Sequence, residues 1–219
     1  MVRLKGQTMP EKESIPYSLI KRIIINCKDT RTQALIAYQY GLGCRAGELG
    51  HYYLHYYNNQ TEKVITDGLK KTDIEFTEEI LRVKHPNFKQ RKKPDKKQVP
   101  KWTGFVLRKQ EEWLFNIMLE WLFNPNSKGE YVFNITRSRI CQLIDSELKK
   151  YDERYSSHWL RHSRATHIGE LTGDPMAVQK LLGHKRIDTS MRYVNYTEAL
   201  LKRRLGEKNF EDVLGRVVE

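Results

Sequence analysis

Four side chains in the last third of the chain are spaced so that they could act on one phosphodiester. His158 and Arg161 stand three apart in "SHWLRHSRATH", so on a helix they share a face. His184 follows Gly183 in "LLGHKRIDTSMRY", and Tyr193 lies nine positions after that histidine. A second arginine, Arg45 in "GLGCRAGEL", sits far upstream. A planar guanidinium can donate two parallel hydrogen bonds to a phosphate. An imidazole can donate a hydrogen bond or carry a proton near neutral pH. A phenol becomes a nucleophile once its proton has an acceptor and its target is held in line. Together these groups can hold, neutralise and attack a phosphodiester without a metal ion.

Each signal is weak alone. The His158 segment also contains His162, Arg164 and His167, so chance pairs are easy to find there. Tyr193 is one of twelve tyrosines, with Tyr52, Tyr53, Tyr56 and Tyr57 clustered upstream and Tyr196 three residues on. Most tyrosines pack by their rings. His184 has no helical histidine pair with acidic companions nearby, so a zinc site is not expected. The order and spacing of the whole set must carry the argument.

Helices account for most of the frame that would position these groups. In "PYSLIKRIIINCKDTRTQALIAYQYGLG", Leu19, Ile23, Ile24, Leu35, Ile36 and Tyr40 fall at helical spacings. "CKDTRTQ" divides this stretch into two helices, with Asp29 or Thr30 as cap and Gly41 and Gly43 at the end of the second. Arg45 then starts a helix through "RAGELGHYYLHYY". "DIEF", "EILRV" and "QVPKW" read as strands of a small antiparallel sheet. The apolar stripe Phe105, Leu107, Trp113, Leu114, Ile117, Met118 and Trp121 predicts a helix over 103–123. "NPNSKGE" is a turn. Further helices are expected over 136–150, 158–171, 175–183 and 188–204, with Asp174 as N-cap and Pro175 as first helical residue of the third. The fold class is α+β, predominantly helical, with a small antiparallel sheet or hairpin.

The chain has 219 residues, 39% hydrophobic and 30% charged, enough for a real core. No apolar run is long enough to cross a bilayer, and "MVRLKGQTMPEKES" does not read as a secretory signal. Three scattered cysteines argue against disulfides and fit a reducing, cytoplasmic compartment. The net charge of +12 points to a polyanionic partner. Residues 82–101 hold nine Lys/Arg against one Asp, a net +8. No amphipathic helix accompanies this run, so a membrane surface fits less well than a nucleic-acid backbone.

The chain resembles the catalytic domain of the tyrosine recombinases, also called the phage integrase family. "YGLGCRAGEL" is similar to that family's first arginine box, and "HWLRHSRATHIGELTGDPMAVQKLLGHKRIDTSMRYV" to its second, over residues 17–200 in order. The resemblance implies the family's catalytic fold and its metal-free, ATP-free strand transfer. Arg45 and Arg161 would clamp the scissile phosphate, His158 would assist proton transfer and His184 would donate to a phosphate oxygen. Tyr193 would be the nucleophile, and Glu48 would orient Arg45. A lysine of the β-hairpin would protonate the leaving 5′-oxygen, with Lys89 the choice and Lys84 and Lys92 behind it. Lys84, Arg91, Lys92, Lys93, Lys96 and Lys97 would contact DNA. No cofactor is implied. The partner would be double-stranded DNA at specific recombination sites, engaged as a homotetramer on synapsed DNA by a protein that is a monomer when free, at the nucleoid.

Two features depart from the family pattern. Residues 50–68 form an insertion, either an added hairpin or an extra helix. Only a short polar leader, 1–16, precedes the catalytic domain over 17–204, so either the chain is a minimal member or Met1 begins an excised catalytic fragment, of which the fragment is the expectation. The tail, 205–219, either packs on a neighbouring subunit or folds back. Rival readings are a type IB topoisomerase or telomere-resolving enzyme, and a DNA-binding relative without catalysis.

Overall fold

The computed structural model describes residues 14–50, 52–54, 63–66, 68–85, 101–127, 129–184 and 186–194. Helices α1 (Tyr17–Asn26) and α2 (Thr30–Leu42) lead into the short α3 (Ala46–Leu49). Strands β1 (Tyr52–Leu54) and β2 (Lys63–Thr66) form one antiparallel pair. Strands β3 (Ile74–Phe76), β4 (Ile80–His85) and β5 (Lys101–Leu107) form a second sheet in the order β3-β4-β5. Helices α4 (Glu112–Leu122), α5 (Arg137–Leu148), α6 (Ser157–Thr172), α7 (Pro175–Leu182) and α8 (Asp188–Met191) complete the described chain.

Helix α2 is the axis of the domain. Its residues from Ala34 to Leu42 are all buried, the pattern of a helix surrounded on every side. It packs against α1, α4, α5, α6 and β5. Asp29 caps its start by accepting from the Thr32 amide at 2.8 Å. Gly43 ends it in the left-handed region at φ 60°, where a side chain would be strained. A Cβ on Gly43 would also meet Leu182 Cδ2 at 2.5 Å, so α7 closes directly over this turn.

Most expected elements are present, and three are corrected. The helix after Arg45 stops at Leu49. Tyr52–Leu54 is a strand, with Tyr53 opposite Val64 and Leu54 opposite Lys63. Tyrosines next to an apolar residue satisfy a strand as well as a helix, and the β-branched partner segment decides between them. The second correction concerns residues 103–107. They belong to β5, and α4 begins only at Glu112. Phe105 lies at helical spacing from Trp113 and Leu107 from Leu114, but Val106 is the residue turned inward, opposite Leu81 of β4. Of "QVPKW", Lys101 and Trp102 fall in β5, and 98–100 lie outside the described residues. Third, α8 ends at Met191. Tyr193 and Val194 donate to the carbonyls of Ser190 and Met191, closing a tight turn where 188–204 reads as continuous helix.

The helices expected over 136–150, 158–171 and 175–183 hold to within a residue or two, whereas residues 1–13 of the leader and the tail over 205–219 lie outside the described residues. Asp174 accepts from the Met176 amide at 2.8 Å and Pro175 is the first residue of α7. α7 ends on a left-handed cap at Gly183.

A buried polar network fixes α6 against the sheet. Arg164 is buried, and its Nη1 donates to Glu111 Oε1 at 2.7 Å. Its guanidinium lies 5.1 Å from the centre of the Tyr40 ring. Burial works against this charge, but the Glu111 carboxylate and Tyr40 outweigh it and hold the Arg164 pKa above the ordinary arginine value. The Tyr40 hydroxyl bonds His167 Nδ1 at 2.9 Å. Burial, aided by the Arg164 charge, pulls His167 from 6.5 down to about 4.

His167 is therefore neutral in the folded protein while its unfolded counterpart takes up a proton below the ordinary value of 6.5. Its contribution is fully present above that pH and is lost as pH falls toward about 4. The loss should amount to roughly 2–3 kcal/mol. Urea midpoints measured between pH 7.5 and 4.5 should fall less steeply for His167→Gln than for the unsubstituted protein, and equal slopes would remove His167 from the account.

Candidate active site

Arg161 enters the interior from the second turn of α6. It is 7% exposed. Its Nη2 donates to the Leu182 carbonyl at 2.8 Å, and its Nη1 donates to the Gly43 carbonyl. Both carbonyls stand at helix ends capped by left-handed glycines, α2 at Gly43 and α7 at Gly183. Terminal carbonyls of helices lack intrahelical partners and carry the negative end of the dipole. Arg161 supplies both needs. Burial pulls the Arg161 pKa below the usual arginine value, and the Glu48 carboxylate opposes that shift.

Glu48 joins this arginine to the other. Its Oε1 accepts from Arg45 Nη1 at 2.9 Å, and its Oε2 lies 3.9 Å from Arg161 Nη1. Glu48 Oε2 also accepts from the Arg45 amide at 2.6 Å, one half of a capping box at the start of α3. One carboxylate thus fixes both guanidinium groups and the local backbone. The Arg45 side chain is 37% exposed, so it reaches the surface from this pair. The named bonds of Arg161 use fewer donors than the five a guanidinium carries.

His158 lies on α6 one turn before Arg161 and is exposed. His184 follows the Gly183 cap at the corner between α7 and α8. Its backbone is fixed on both sides, N–H donating to the Gln179 carbonyl at 3.1 Å and C=O accepting from Gln179 Nε2 at 3.1 Å. Its Nδ1 bonds the hydroxyl of fully buried Ser190 at 2.8 Å. Tyr193 stacks on the His184 ring, centroids 6.1 Å apart and planes within 21°. His162 flanks the same phenol ring at 5.2 Å.

Of the expected set, Arg45, Arg161, His184 and Tyr193 are linked through neighbouring groups, and His158 lies one turn before Arg161 on α6. Arg45 and Arg161 meet at Glu48, Arg161 reaches the end of α7, and the residue after that cap carries His184 beside Tyr193. Two participants had no sequence signal that singled them out. Ser190 is one of many serines, and His162 is indistinguishable by type from its neighbours. Lys84 pairs through its backbone with Trp102 in the β4–β5 ladder. Lys89, Arg91, Lys92, Lys93, Lys96 and Lys97 lie outside the described residues, as does Tyr196. Among the described residues no group of three or more His, Cys, Asp or Glu could hold a metal, and no helix is long and apolar enough to cross a membrane.

Comparison with known proteins bears on the family and the fold. The family model described as phage integrase family matches residues 14–199. Tyrosine recombinase XerC of Proteus mirabilis is 29% identical over 184 residues, covering 78% of this chain and 50% of that protein. XerC of Haemophilus influenzae is 26% identical over 173 residues, covering 76% and 50%. The chain thus spans about half the length of these curated relatives. The structure of XerA recombinase superposes with a TM-score of 0.61 at 21% identity, covering 92% of this chain and 66% of that one. XerH site-specific recombinase bound to difH substrate, in a pre-cleavage complex, gives 0.61 at 17% identity, covering 94% and 57%. At these identities the structural likeness is one of fold.

Removing Glu48 leaves the buried Arg161 charge with carbonyl partners alone. Glu48→Ala should lower stability by about 3–5 kcal/mol, the usual cost of breaking a buried pair. Arg45→Ala, at the partly exposed end, should cost about 1 kcal/mol or less. Urea unfolding of the two variants checks the contrast, and equal losses would contradict the assignment of Arg161 as the group that Glu48 supports.

Proposed function

The chain belongs to the phage integrase family, and from that premise we propose that it cleaves and rejoins DNA strands at specific recombination sites through a 3′-phosphotyrosyl intermediate. The phenol oxygen of Tyr193 attacks the scissile phosphorus. The phosphorus–5′-oxygen bond breaks and a 5′-hydroxyl leaves. The phenol gives up its proton in the attack with His158 assisting the transfer as its acceptor, and the leaving oxygen takes a proton from a lysine of the basic segment, for which Lys89 is the choice. A 5′-hydroxyl of a partner strand then reverses the step. The energy of the phosphodiester is kept in the covalent link, so the sequence of steps calls for no ATP.

The observation that supports this reading is the shared position of Arg45, Glu48, Arg161, His184 and Tyr193. Extra negative charge develops on the equatorial phosphate oxygens during attack, and preorganised donors stabilise it without reorganising. Arg161 is held in place by two carbonyls and Arg45 by a carboxylate. Ser190 donating to His184 Nδ1 would leave the proton on Nε2, the tautomer that can donate to a phosphate oxygen. Loss of one such donor would cost about 3–4 kcal/mol of transition-state stabilisation. The charge of residues 82–101, with Lys84, Arg91, Lys92, Lys93, Lys96 and Lys97, suits contacts to the duplex backbone. A homotetramer on synapsed DNA, formed by a protein that is monomeric when free, completes the reading, with the nucleoid as its place of work.

Tyr193→Phe should bind cognate duplex normally and form no covalent adduct with a nicked suicide substrate, read as a gel-stable protein–DNA band. An adduct trapped by Tyr193→Phe would move the nucleophile to Tyr196. The slope of log affinity against log salt should flatten by about 0.9 for each phosphate contact removed when Lys92, Lys93, Lys96 and Lys97 are replaced by Gln. An unchanged slope in filter-binding titrations would take the basic segment off the DNA.

A further inference from the structure

Helix α6 contains a glycine in its interior, Gly169, within four residues of its end. A helix-interior glycine costs about 1 kcal/mol relative to alanine, so its presence calls for a local reason. A Cβ built there would lie 1.9 Å from the carbonyl oxygen of Tyr193, 2.8 Å from its carbonyl carbon and 3.4 Å from its Cβ. The obstacle is the backbone of the turn that carries the phenol. That turn is fixed on both sides. Ser190 before it is fully buried and bonds His184, and Val194 after it is buried among Ala165, Val178, Leu181 and Leu182. It has little freedom to move aside for a methyl group.

Gly169 and His162 are seven residues apart, two turns along the same face of α6. The Tyr193 backbone rests at Gly169 and its ring rests against His162, centroids 5.2 Å apart. The side chain therefore runs back along α6, a reach of about 10 Å for the two turns together. It runs toward the turn that carries Arg161, whose charge senses the phenol. Ala165, between them on that face, is fully buried against Val194.

We propose that Gly169 and His162 are positioning residues for Tyr193: Gly169 admits the backbone of the nucleophile's turn onto α6, and His162 walls the phenol so that it points at the phosphate held by Arg161. The inference rests on the strand-cleavage reading above. Gly169 is required here by close approach, since its own backbone is ordinary helix.

Single-turnover cleavage of a suicide duplex tests this, with cleavage rate and half-saturating DNA concentration measured separately. Gly169→Ala improves helix propensity, yet it should slow cleavage about 100-fold, the scale expected for a nucleophile displaced by an ångström. Half-saturation should not change, because the arginines and the basic segment are untouched. A wild-type cleavage rate in Gly169→Ala, or a loss confined to DNA affinity, would overturn the proposal. Should Gly169→Ala melt well below the unsubstituted protein, His162→Ala carries the test, since it removes the ring contact and adds no volume. About tenfold slower cleavage at unchanged half-saturation is then expected, and an unchanged rate would overturn the proposal. Tyr193→Phe run alongside separates the two levels. An adduct from that variant removes Tyr193 as the nucleophile and with it the premise of this proposal, whereas its inactivity beside a fully active Gly169→Ala defeats the seat alone.

Discussion

A guanidinium removed from water must find hydrogen-bond acceptors on every side, and Arg161 meets that demand by tying separate pieces of chain together. It donates to the carbonyl that follows α2 and to the last carbonyl of α7, and it forms an ion pair at 3.9 Å with a carboxylate of α3. None of these can shift without leaving a buried charge exposed to an apolar surround. The two helix ends are brought together by the same contact that holds the arginine. Gly43 makes the junction tight enough, since a side chain at that position would collide with Leu182. The group proposed to hold phosphate is thus also the group that locks the floor on which the phosphate would lie.

Helix α6 carries two buried arginines one turn apart, and they serve different neighbours. Arg161 turns to Gly43, Glu48 and Leu182, whereas Arg164 turns to Glu111, the Phe105 carbonyl and the Tyr40 ring. The first connects α6 to the helix ends that bear Arg45 and His184. The second connects α6 to the junction of β5 and α4. Through β5 it anchors the sheet from which the basic segment extends. Neutral His167 and Tyr40 complete this second network without adding charge to it. A single rigid helix therefore sets the relative placement of the groups proposed to hold phosphate and of the β3-β4-β5 sheet.

Tyr193 is held differently from the arginines. It lies in a turn after a four-residue helix, between a small cluster of buried residues and the rings of His162 and His184. Aromatic contacts of this kind contribute on the order of 1 kcal/mol each, far less than the pairing of a buried charge. The phenol ring, proposed as the nucleophile, is therefore held less firmly than the guanidinium groups, although the backbone of its turn is fixed. A reaction in which the tyrosine moves onto DNA and back suits an arrangement with a firm phosphate cradle and a lightly held phenol.

Much of this was legible in the sequence, for a physical reason. Helix caps and chemical motifs are local, so Asp29, Asp174-Pro175 and Gly183 marked helix ends, and the spacing of His158, Arg161, His184 and Tyr193 marked the candidate site. The charge of the basic segment needs no fold to be counted. Local patterns misled where partner strands decided the outcome. "YYL" and "TGFVL" fit helix or strand alike, and only pairing with Lys63–Thr66 and with β4 made them strands. Tyr193 sits in a turn where the periodicity ran on as helix, because Val194 is drawn into a cluster built from α6 and α7. The roles of Ser190, His162 and Gly169 were invisible in the chain. Each follows from what touches it across many residues of sequence, and such contact exists only once α6, α7 and the turn after α8 have packed.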